Sequence, residues 1–247
     1  MSSATRDHEH HHHKLSPEDW PDDRDFGTIS AGKMSMWFFL LTDAMSFAGL
    51  LLAYGLLRGG SEVWYFPAEK GATMPDGTLA SEAAAAANWF TEPTFGIPFT
   101  AGLTFLLICS SVTLVMAYAN VVEKNRSRAS LYLFLTVLGG TLFLCGQMQE
   151  YWGTFHFLFS GEHAHGLIAN GLIFGKSHYA STFYVVTGFH GLHVLSGVIY
   201  LAIILVRNMM GKYDDGDYNE IEIAGLFWHF VDLVWILVFT FVYLIPN

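Results

Sequence analysis

Five stretches of this chain run apolar for more than twenty positions each: 34–57, 95–119, 131–157, 181–206 and 224–245. A helix rises about 1.5 Å per residue, so about 20 such residues cross a hydrocarbon core roughly 30 Å thick. Lipid offers a backbone no hydrogen-bond partner, so each stretch must be helical. The pattern predicts an all-α, polytopic membrane protein, a bundle of five transmembrane helices over residues 31–247. Residues 1–30 form a polar, acidic, histidine-rich tail with HEHHHH at 8–13, read as solvated. They lack the apolar core and small-residue cleavage site of a secretory signal.

Composition agrees. The chain of 247 residues is 52% hydrophobic and only 14% charged, where a soluble domain carries roughly 25% charge. The net charge is −10, with the acids outside the spans and no basic stripe, which excludes a nucleic-acid partner. Cys109 and Cys145 both lie in apolar spans and read as small buried hydrophobes, not a disulfide framework.

Cations set the direction. With the N-terminus cytoplasmic, nine Lys and Arg fall inside: Arg6, Lys14, Arg24, Lys33, Lys124, Arg126, Arg128, Arg207 and Lys212. Three fall outside, Arg58, Lys70 and Lys176. The bias predicts a cytoplasmic N-terminus and a periplasmic C-terminus. Trp64, Tyr65, Trp89, Tyr151 and Trp152 then form an outer aromatic belt. The outer loop 58–94 contains a turn signal, PDG at 75–77, and an alanine-rich segment, SEAAAAANWF at 81–90. It lacks histidine and cysteine, which argues for partner contact over catalysis.

The chemistry worth weighing lies inside the spans, where ionisable groups are expensive. His190 and His193 are three apart in GFHGLHVLSG (188–197), and His229 and Asp232 are three apart in FWHFVDLVWILVF (227–239). Gln147 and Glu150 repeat that spacing, and Asp43 stands deep in the first span. Three readings compete: hydrogen bonds between helices and to lipid, ligation of haem or a metal by imidazoles on facing helices, and a proton or ion relay. On the expected boundaries His193 and His229 differ in depth by several ångströms, which counts against a metal site. Gly139, Gly140, Gly188, Gly191 and Gly197 predict close helix approach. Readings of other classes are a membrane cytochrome built on His190, His193 and His229, or a free-standing transporter.

The same stretches carry a resemblance. YASTFYVVTGFHGLHVLSG (179–197) resembles the penultimate helix of subunit III of the haem-copper cytochrome c oxidases. EIAGLFWHFVDLVWILVF (222–239), with Glu222 six residues before Trp228, resembles the last helix of that subunit. QMQEYW (147–152) and KMSMWFFLLTDAMSFAGLLLAY (33–54) are similar to two earlier ones. The resemblance implies a non-redox subunit of a proton-pumping terminal oxidase reducing oxygen to water, with no catalytic residue and no metal of its own. Haem and copper belong to the partners, subunits I and II, and other respiratory subunits join them. The implied roles are stabilising subunit I, binding structural phospholipid, and supporting oxygen access and proton uptake. The family's lipid site maps onto Asp43, His193 and Arg207, while His190, His229, Asp232, Gln147, Glu150 and Glu222 read as structural polar groups within the membrane. Asp214, Asp215, Asp217 and Glu220 are candidates for a proton-collecting surface. Five helices in place of seven imply a bacterial inner membrane. The embedded acid is Asp43 where the family has Glu, so its partner must come closer or use water.

Overall fold

The structure, a computed structural model, describes residues 30–60, 97–152, 167–168, 172, 174–175, 178–214, 216 and 218–244. Five helices account for nearly all of them: α1 (Ala31–Gly60), α2 (Ile97–Val122), α3 (Arg126–Trp152), α4 (His178–Met209) and α5 (Asn219–Val238). A π-helical turn, Phe239–Leu244, extends α5. All five are long and apolar enough to cross a membrane, and the chain is a multi-pass membrane protein. Among the described residues no strand occurs.

The helices alternate in direction. The start of α1, the α2–α3 turn and the α4–α5 turn gather at one end, here the turn end. Ser30 donates to Asn219 at 2.8 Å, and Lys33 pairs with Glu222. Asn208 near the end of α4 donates to Arg126 O and to Ser130 Oγ at the start of α3. Trp228 and Trp235 of α5 are each 1% exposed and touch α2, α3 and α4, so α5 is the central helix. By contrast α1 lies mainly against α4 and α5 among the described residues, and only 17% of its most apolar stretch is buried.

The boundaries differ from the sequence reading where polar residues belong to helix ends. The third helix begins at Arg126 rather than 131, because Asn125 Oδ1 accepts from Arg128 N–H and carries the helix start past the apolar pattern. Among the described residues it ends at Trp152, short of the expected 157. The first helix runs on to Gly60. The tail up to residue 29, most of the loop 58–94 with Trp64, Tyr65 and Trp89, and Asp215 and Asp217 lie outside the described residues. Two further expectations are corrected. Tyr151 is no belt residue; it turns into the bundle, while Trp152 is half-exposed. Gly188 meets no neighbour within 4 Å of a Cβ position, so it serves no close approach within this bundle, because it points away from the packed face of α4.

The turn between α2 and α3 is unusually short. Asn125 N–H reaches Asn120 O and Lys124 N–H reaches Val121 O, the paired bonds of a left-handed helix stop. Lys124 takes the left-handed position at φ 58°, where glycine is the common choice and an L side chain is strained. Lys124→Gly should raise stability by about 0.5–1 kcal/mol, and Lys124→Ala should not. Thermal unfolding in detergent checks both.

Candidate functional site

The buried polar groups are arranged in levels along the bundle, each tying α4 or α5 to another helix. At the turn end Glu220 accepts from Arg207 at 2.8 Å, from Lys212, and from Tyr213 OH at 2.8 Å. Burial, and then the Glu220 carboxylate it donates to, push the Tyr213 phenol above its ordinary range. Asp214 pairs with Arg126 at 3.6 Å. Glu222 sits in the first turn of α5 and is one-third exposed, so it belongs to the helix terminus rather than the apolar interior.

At mid-bundle Asp43 of α1 meets His193 of α4, with Oδ1 3.2 Å from Nε2. His193 Nδ1 is 2.8 Å from Phe189 O, and a carbonyl only accepts, so Nδ1 carries a hydrogen. The contact with Asp43 therefore requires one more proton between the two side chains, which leaves the pair neutral overall. Neutrality suits this depth, since an unpaired charge there costs several kcal/mol. Phe47 and Phe189 pack around the imidazole at centroid separations of 5.3 and 4.6 Å. The shorter acid thus meets the histidine directly, and Asp43 Oδ2 is buried with no hydrogen-bond partner among the described residues. Arg207 is not brought to this pair. It lies fourteen residues along α4 from His193, about 21 Å by helix rise, and is held by Glu220.

His190 faces the bundle interior. Its Nε2 donates to Val231 O at 3.1 Å and its ring lies 4.7 Å from that of Trp235. This contact corrects the depth argument against a metal site. With His190 level with Val231, His193 lies three residues nearer the turn end and His229 two, so the two stand within about 2 Å of one depth. Direction separates them instead: His190 points to Val231, His193 to α1, and His229 sits half-buried beside Asp232. Among the described residues no three His, Cys, Asp or Glu side chains converge as metal ligands.

The hydroxyls of α2 do work that the sequence reading missed. Ser110 and Thr104 donate to their own helix, to Leu107 O and Thr100 O, and so present free lone pairs. Trp228 Nε1–H donates to Ser110 Oγ at 3.2 Å and Trp235 Nε1–H to Thr104 Oγ1 at 2.9 Å. Ser111 donates to Asp232 Oδ2 at 3.0 Å. The signal was present as hydroxyls at 100, 104 and 111, spaced by four and seven on one face of an apolar span. At the far end Glu150, 1% exposed, accepts from Thr100 at 3.4 Å and from Tyr243 at 3.1 Å. Gln147 donates to Thr187 O and Tyr151 OH. Tyr151 OH donates in turn to Thr187 Oγ1 at 2.6 Å, since that hydroxyl already gives its hydrogen to Phe183 O.

Glycine makes room for the central indole. A Cβ on Gly140 of α3 would stand 2.5 Å from Trp228, and one on Gly197 of α4 would stand 2.8 Å from it. Gly140→Ala should therefore cost about 1–3 kcal/mol through overpacking. Gly188→Ala, with open space around it, should be neutral or gain up to about 1 kcal/mol of helix propensity. Equal effects in thermal unfolding would contradict this packing. Removing the phenol in Tyr243→Phe should cost about 1–3 kcal/mol, because the buried Glu150 loses a donor.

These side chains fall within the part of the chain that matches known proteins. Residues 91–246 match the family model described as cytochrome c oxidase subunit III. A cytochrome c oxidase subunit 3 of Thermostichus vulcanus is 31% identical over 244 residues, covering 98% of this chain and 92% of that protein. One from Synechocystis sp. is 31% identical over 239 residues, covering 96% and 79%. A third, from Locusta migratoria, is 38% identical over 140 residues, 57% of this chain, which spans only about half (47%) of the locust protein. With GFHGLH on α4 packed against WHFVD on α5, the chain belongs to the cytochrome c oxidase subunit III family.

Proposed function

We propose that this chain is a non-redox accessory subunit of an aerobic haem-copper terminal oxidase. It sits in a bacterial inner membrane beside subunits I and II and further respiratory subunits. The observation that carries the reading is family membership over most of the chain, together with imidazoles engaged between helices rather than converged on one point. Haem and copper belong to the partner subunits, and oxygen reduction occurs there. Cations support a cytoplasmic turn end: Lys33, Lys124, Arg126, Arg128, Arg207 and Lys212 lie near it, against Arg58 at the far end of α1. The N-terminus is then cytoplasmic and the C-terminus periplasmic.

Structural phospholipid is the proposed ligand. Asp43 and His193 offer a neutral polar pair deep between α1 and α4. Arg207 offers a cation at the cytoplasmic surface, where a phosphate would compete with Glu220 for it. Stabilising subunit I and bordering an oxygen route through lipid are part of the same proposal. So is proton collection at the cytoplasmic face. Glu220 and Asp214 are held in ion pairs, so collection falls mainly to Asp215, Asp217 and the acids and histidines of the tail.

An affinity tag on this chain should recover polypeptides bearing haem and copper. Recovery of the chain alone would contradict the subunit reading. Within the recovered complex, His193→Leu and Arg207→Leu should each lower the number of phospholipids retained in native mass spectrometry. Unchanged lipid in both removes that role. Deleting residues 1–30 and neutralising Asp215 and Asp217 should slow oxygen consumption above about pH 8, where bulk protons are scarce, and spare it near pH 6. An equal effect at both ends of the range would refute proton collection.

A further inference from the structure

One arc of α5 carries polar chemistry that the bundle does not use. Trp228 and Trp235 point toward α2 and α3, Val231 toward α4, and Phe227 toward α1. Gly225, His229, Leu233 and Ile236 occupy the remaining arc, between α2 and α1. Leu233 is 62% exposed, and Gly225 has nothing within 4 Å of a Cβ position. His229, half-buried, makes no hydrogen bond among the described residues. Asp232, 8% exposed, accepts from Ser111 through Oδ2 alone, and its Oδ1 is buried without a hydrogen-bond partner among the described residues. His229 lies within electrostatic reach of that carboxyl.

Depth decides what can answer this pair. His229 is ten residues after Asn219, about 15 Å by helix rise, near the middle of a hydrocarbon layer roughly 30 Å thick. Headgroups and water lie mainly at the interfaces and come this deep only where a cleft between helices admits them, as proposed for Asp43 and His193. A side chain on a neighbouring membrane helix is already at this depth, and hydrogen bonds of this kind join helices in lipid. The missing side chain at Gly225, one turn from His229, lets such a helix approach closely.

We propose that this arc, with α1 and α2 as its rims, is the seat of one transmembrane helix from a partner subunit, which sets a hydroxyl or amide side chain against His229. The proposal rests on the reading of this chain as a subunit of a larger complex. A second copy of the chain fits less well. A two-fold axis along the membrane normal would oppose His229 to itself and bring no new kind of donor to Asp232.

The test uses the intact complex, recovered by a tag on this chain and recognised by its haem absorbance. A photo-crosslinking amino acid replaces Leu233. The same replacement at Leu192, 64% exposed on α4, serves as the control. The proposal expects a Leu233 adduct whose sequenced peptide is a membrane-spanning segment of a co-purifying subunit. Its yield should fall about five-fold in His229→Leu and recover in His229→Gln, which keeps a hydrogen-bonding group. Adducts to lipid alone, a product of two copies of this chain, or a yield indifferent to His229 would each overturn it while leaving the subunit reading intact. Failure to recover any haem-bearing partner would overturn both.

Discussion

Hydrocarbon solvates a leucine about as well as another leucine does, so apolar faces give membrane helices little reason to associate. Polar groups and close packing must supply it. Here the supply is concentrated on α5. Its two indole N–H groups go to hydroxyls of α2, its Asp232 takes a third hydroxyl, and its Val231 carbonyl takes the imidazole of His190. Each of these groups would cost free energy if left unpaired in lipid. The bonds thus select one arrangement of α2, α4 and α5 rather than merely strengthening contact. Gly140 and Gly197 complete the selection by leaving the indole of Trp228 a slot that no other side chain at those positions permits.

The helix α1 is held differently, and three of its polar contacts reach α4 and α5. Two lie at the turn end, Ser30 with Asn219 and Lys33 with Glu222. The third, Asp43 with His193, lies deep in the membrane. The rest of its surface is large and apolar, as Trp37, Phe38, Met45 and Leu52 illustrate. A subunit built this way has most of its interior polar groups paired and leaves its outer faces open to lipid or to other subunits. That arrangement suits a component whose contribution to a reaction is structural. Among the described residues, the ionisable side chains deep within the spans are largely committed to neighbouring helices, with His229 the chief exception.

Much of this was legible in the sequence because the membrane imposes simple rules. Five apolar runs of sufficient length gave five helices, and ionisable residues within them marked the groups that pair. Ends were less legible. Arg126 and Arg128 look like loop residues by composition, yet they begin a helix, since long cations at a helix end can reach water while their stems stay against the bundle. Partners were less legible still. Periodicity places Asp43 on a buried face but does not reveal that His193 stands opposite, nor that Arg207 is occupied by an acid thirteen residues further on. Ser110, Thr104 and Thr100 passed unnoticed because hydroxyls in apolar spans usually bond their own helix. These do so and accept an indole or reach Glu150 as well. Tyr243 was missed for another reason: the π-helical turn at Phe239–Leu244 changes the register that a regular helix would give it.

The central claim is that the imidazoles of this chain serve its architecture and that the redox chemistry resides in other polypeptides. The most direct measurement separates the chain from its purified complex and assays haem, iron and copper in both fractions. The account predicts that all three remain with the other subunits and that the isolated chain shows no Soret absorbance. Haem or copper that follows this chain in stoichiometric amount would contradict it.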